Sequence, residues 1–219
     1  MKGIFKKLLV IVVVIFALIA AVGYSLKPSD PINDKDRLCN VDERIDIAQI
    51  NKKVVKSINI QNGGAVVDME LNDYIFKKLL KYNIVKYGRQ DFEAYTFNLK
   101  GDKLLVQVPQ KVGPFKSQVD VLMSLGNDKD NLILSVDSVK VGKIKLPKYI
   151  VDNKLDSMIS TGIDRISSEK GKIYINLNSV DFGIKRIYIK DSILKLKIEI
   201  TKDDIKKIGI EIIDNLFDF

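Results

Sequence analysis

The sequence predicts an α+β fold, in which an N-terminal transmembrane helix is followed by a curved antiparallel sheet covered by amphipathic helices. Three observations carry that expectation. Leu8 to Leu26 is an uninterrupted run of 19 residues without a charge. The middle of the chain alternates apolar and polar residues with period two, and the segments flanking it repeat apolar residues at helical spacing.

The apolar run comes first. As a helix rising about 1.5 Å per residue, LLVIVVVIFALIAAVGYSL matches a hydrocarbon layer of roughly 30 Å. Lys2, Lys6 and Lys7 precede it, whereas Asp30, Asp34 and Asp36 soon follow. The positive-inside bias then leaves the N-terminus in the cytoplasm and the rest of the chain outside, on a single-pass anchor in the cell membrane. A cleaved signal peptide is the competing reading, since Ala21 and Gly23 are small. The length of the run favours the anchor. KPSDPINDKDRLCNVD, residues 27–42, carries two prolines and many charges and reads as a stalk. Between Asp42 and Asn59, Ile47, Ile50, Val54 and Ile58 form a helical stripe, which Asn62-Gly63-Gly64 ends. The expected divisions are 1–26 for tip and anchor, 27–62 for stalk and juxtamembrane helix, and 63–219 for the outer domain.

AVVDMEL, 65–71, reads as a strand; Asn72 caps a helix carrying Ile75, Phe76, Leu79 and Leu80. Tyr95, Phe97 and Leu99 then alternate with polar residues, as do Leu104, Val106 and Val108. Val119, Val121, Met123 and Leu125 continue the pattern, and after the turn GNDKDN so do Leu132, Leu134 and Val136. Strands of this kind bury one face only. The alternation changes phase before Ile144, which places a bulge or tight bend at Gly142. Pro147 opens a helix with Val151, Leu155, Met158 and Ile159 on one stripe. Strands around Ile173–Leu177, Ile187–Ile189 and Leu194–Ile200 follow, then a terminal helix from Lys202 with Ile205, Ile208, Ile212 and Leu216 facing inward.

Composition removes much chemistry. The 219 residues include no His, no Trp and one Cys, Cys39. Ser-His and Cys-His dyads, His-ligated zinc and thiolate cages are therefore excluded. Ser167 and Ser192 each start an S-x-x-K match, but with 13 Ser and 31 Lys chance supplies about two, and no companion motif occurs. Asn127, Asp128, Asp130 and Asn131 lack the distal Glu of a calcium loop and read as a turn. No catalytic residue, metal ligand or cofactor is expected. Beyond residue 26 the chain holds 33 basic and 28 acidic residues, a balance that suits anionic headgroups or an anionic wall polymer. Nucleic acid is set aside on compartment.

A strand ending Val141-Gly142-Lys143-Ile144-Lys145-Leu146-Pro147 and passing into a helix resembles the YpmS-like proteins of Gram-positive bacteria. Glu70-Leu71-Asn72-Asp73, the anchor and the alternating strands add to the resemblance, which covers most of 65–201. It brings no catalytic residues with it. The V-G-x-x-x-L-P passage is also similar to one in a bacterial family of envelope lipid-binding proteins, which implies lipid handling. The expected function is thus a non-catalytic, membrane-anchored binder of a lipid or lipid-linked envelope molecule. Val119, Val121, Met123, Leu132 and Leu134 would meet acyl carbon, and Lys140, Lys143, Lys145 and Lys148 an anionic head. The alternative is an adaptor or regulator of a cell-envelope enzyme with no small ligand.

Overall fold

The computed structural model describes residues 19–42, 47–61, 64–86, 92–128, 131–159, 166–177 and 183–201. Four α-helices lie within them: α1 over 19–26, α2 (Ile47–Val54), α3 (Asp73–Lys86) and α4 (Lys148–Ile159). The strands are β1 (Val55–Gln61), β2 (Gly64–Asn72), β3 (Thr96–Lys100), β4 (Lys103–Val112), β5 (Phe115–Asp128), β6 (Asn131–Val141), β7 (Ile144–Lys145), β8 (Ile166–Glu169), β9 (Lys172–Asn176), β10 (Gly183–Lys190) and β11 (Ile193–Thr201).

The chain is α+β, with two antiparallel sheets rather than the single one expected. A small sheet runs β1-β2-β11-β10; a large one runs β3-β4-β5-β6-β9-β8, with β7 paired to β6. Their apolar faces meet in one core. Val67, Met69 and Leu71 of β2 and Ile187, Leu196 and Ile198 of the neighbouring strands pack with Ile75, Phe76 and Leu79 of α3 and with Leu99, Leu104 and Val106 of the large sheet. Each such side chain contributes about 1.5–3 kcal/mol by leaving water.

Polar residues set the junctions. Asn72 caps α3 by accepting the Ile75 amide at 2.9 Å, as its sequence position implies. Asp73 accepts the Leu99 amide at 2.7 Å and so ties the start of α3 to β3. Asn127, read as a turn residue, instead clamps the sheets together. Its side-chain amide donates to the Ile184 and Lys185 carbonyls at 3.0 and 3.3 Å and accepts from the Ile187 amide at 3.1 Å. β10 is an edge strand of its sheet, and these backbone groups lie at or next to a register shift between Ile184 and Arg186.

Two expectations change. The helix expected over 42–59 is α2, eight residues long, and the chain passes at once into β1. Ile50 and Val54 are buried on α2, whereas Ile58 is exposed on β1. The β-branched pair Val54-Val55 and the period-two spacing of Ile58 and Ile60 favour strand there. The phase change lies at a bulge opposite Leu122 and Met123, before Ser138, while Gly142 with φ 60° makes the β6–β7 turn. Among the described residues no helix is long and apolar enough to cross a membrane. Residues 8–18 of the apolar run and the helix expected from Lys202 lie outside the described residues.

Candidate functional site

Period-two geometry puts Val119, Val121, Met123 and Leu125 of β5 on one face of the large sheet. Register pairs them with Val108, Val106 and Leu104 of β4, and Leu125 with Leu134 of β6. Leu104 and Val106 are buried in the core. Along β5 that coverage gives out: Val119, Val121, Met123, Leu125 and Leu134 are all half-buried. The strip is therefore apolar, continuous with the core at one side and partly open to solvent. Leu132, expected to face a ligand, is 8% exposed and belongs to the closed core beside β10. Val108 and Leu125 also line the strip, and their place in the alternation is the sequence signal for them.

The four lysines lie around one end of this strip rather than along it. Lys140 alternates with Val139 and Val141 on β6 and so sits on the opposite face. Register sets it directly across from Lys145 of β7. Like charges so placed repel, and among the described residues neither has an ion pair. Lys143, in the β6–β7 turn, stands 3.2 Å from the centre of the Tyr24 ring. Lys148 is engaged with Asp152 at 3.0 Å and the Lys170 carbonyl at 3.4 Å.

The same end holds α1. The Leu26 carbonyl accepts the Ser117 hydroxyl at 2.7 Å, and the Ser25 carbonyl accepts the Lys143 amide at 2.8 Å. A Cβ on Gly142 would run into the Leu26 backbone, and one on Gly23 would meet the Phe115 ring. Val141-Gly142-Lys143 is thus the socket in which α1 ends. Only glycine combines the positive φ with so close an approach of another backbone.

Residues 27–42, expected to be a free stalk, lie against the large sheet instead. The Ile32 amide donates to the Gln118 side chain at 3.0 Å, while Gln118 and Gln107 both donate to the Asp30 carbonyl, at 3.0 and 3.2 Å. The Leu38 and Cys39 amides donate to the Tyr95 and Glu93 carbonyls, and Leu38 is fully buried. Lys77, itself buried on α3, bonds Asp73 at 2.6 Å and reaches Asp36 at 3.8 Å. Composition alone made this segment look free, because its anchors are backbone groups and one leucine.

The described residues hold one polar trio with a hydroxyl next to an amine. Lys103 donates to Ser124 at 2.9 Å and to Asp137 at 2.7 Å, and Ser124 donates to Asp137 at 2.6 Å. Burial alone would raise the Asp137 pKa, but the bonds from Lys103 and Ser124, with the Lys103 charge, lower it. The carboxylate takes both donors, so the arrangement is a closed ion pair rather than a base beside a nucleophile. Ser192 holds the β10–β11 turn, where its hydroxyl accepts the Gly101 amide at 3.0 Å. Among the described residues no group of three or more Cys, Asp or Glu is placed to hold a metal ion. No protein-family model, curated protein or solved structure matches the chain.

Proposed function

We propose that this protein is a single-pass, membrane-anchored, non-catalytic domain outside the cytoplasm that binds the acyl part of a lipid or lipid-linked envelope molecule. The observation that carries the reading is the half-open strip Val119, Val121, Met123, Leu125 and Leu134, beginning next to the socket of α1. An apolar strip left half-exposed beside a closed core suits a ligand supplying hydrocarbon. The uncharged run Leu8–Leu26, leading into α1, supports the anchor. The resemblance to YpmS-like proteins agrees with both.

The test is lipid extraction and mass analysis of the full chain purified in detergent, beside two variants. Met123→Lys puts a charge into the strip, whereas Leu122→Lys puts it on the opposite face of the same strand. Stoichiometric lipid in the wild type and Leu122→Lys, lost in Met123→Lys, is the expected result. Equal lipid content in all three overturns the reading.

A second reading, an adaptor for an envelope enzyme, draws on a different feature. β1 is an edge strand, with Ile58 59% and Ile60 83% exposed. An open apolar edge is suited to pairing with a strand of another protein.

A further inference from the structure

We propose that the end of the large sheet around α1 is a bilayer-contact surface, seating the domain on anionic phospholipid headgroups with the β4–β5 hairpin tip reaching below them. This rests on the reading that Leu8–Leu26 crosses the membrane. The geometry of the socket then fixes depth. Phe115, at the tip of the hairpin, is close against Gly23. Gly23 lies three residues inside the apolar run, about 4.5 Å along a helix axis from Leu26. Whatever level Leu26 takes at the interface, the tip reaches as deep or deeper.

The chemistry of this end fits such a position. Val112 at the tip is 38% exposed, Ile144 in β7 46%, Val22 53% and Tyr24 65%. Around them, residues 109–119 and 138–151 contain six lysines (Lys111, Lys116, Lys140, Lys143, Lys145 and Lys148) and no Asp or Glu; of the carboxylates bordering them, Asp120 stands across from Lys140, Asp137 bonds Lys103 and Asp152 bonds Lys148. Tyrosine over lysine at a helix end is the pairing of an interfacial belt, apolar body inward and charge at the headgroups. Lys140 has Asp120 across from it on β5, whereas the cross-strand partner of Lys145 is Lys140, and an anionic headgroup would offset that repulsion. A soluble polyanion would satisfy the lysines yet leave Val112 and Ile144 in water. A bilayer satisfies both. The seating also gives the strip an entrance, because Val119 lies four residues, roughly 13 Å, up β5 from Phe115.

The chain has no tryptophan, so single Trp residues report their own surroundings. The full chain carrying Val112→Trp, Ile144→Trp or Ile60→Trp is reconstituted into phosphatidylcholine vesicles with brominated acyl chains, with and without phosphatidylglycerol. Ile60 is the control at the far end: it aligns with Ala65 and Ile200, next to the β10 segment that Asn127 clamps. With phosphatidylglycerol, bromine should quench both end residues at least about two-fold more than Ile60→Trp, and removing that lipid should reduce the difference. Similar quenching at all three positions in protein that floats with the vesicles overturns the seating and leaves the anchor standing. Quenching independent of phosphatidylglycerol overturns the anionic assignment. Protein that does not float with the vesicles overturns the anchored reading, and this inference with it.

Discussion

Gly142 and Asp137 show how single residues carry structure here. At Gly142 the left-handed backbone and the adjacent Leu26 carbonyl leave no room for a side chain. Gly142→Ala should therefore cost about 1–3 kcal/mol in urea unfolding, through strain and loss of the α1 contact. A change within a few tenths would mean that α1 is not seated there. Asp137 makes a prediction about pH. Its folded pKa lies below the ordinary 3.8, so its contribution to stability is complete above that value. As the pH falls from 3.8 through the folded pKa, the contribution is lost. Asp137→Asn should flatten the stability profile in that acid window while leaving its slope near neutrality unchanged. Neither role is legible from residue type: the alternation marks Gly142 as a bend and not as a socket, and nothing in the local pattern marks Asp137.

At the scale of elements, the segment 27–42 matters most to how the domain is held. Its backbone bonds to Gln118, Tyr95 and Glu93, with fully buried Leu38, join α1 to the sheet. Leu38→Ala should cost about 2–4 kcal/mol and expose 27–42 to protease before the sheets unfold. A resistant segment in the variant would show that the strap does not depend on this anchor. The alternating strands β3 to β6, α3 with its Asn72 cap and α4 after Pro147 were legible, because period and capping are local properties. β1 and β8 were not. β8 presents one aliphatic residue, Ile166, in ISSE, and β1 begins inside a helical stripe. Asn62-Gly63 between two aliphatic stretches is a hairpin signal, but after a helical stripe the same residues signal a helix stop.

For the whole molecule, the division into two sheets depends on strands far apart in the chain, β2 with β11 and β10 against β5, so no local pattern announced it. The candidate strip was legible as apolar alternation, but its partial exposure depends on where the small sheet stops covering β5. The most direct measurement places a photoreactive benzophenone side chain at Val121, or at Leu122 on the opposite face, in the full chain within the membranes of cells that express it. After illumination the adduct is weighed. The account predicts a lipid-sized adduct at Val121 and none at Leu122. Adducts of protein size alone, or equal labelling at both positions, would contradict it.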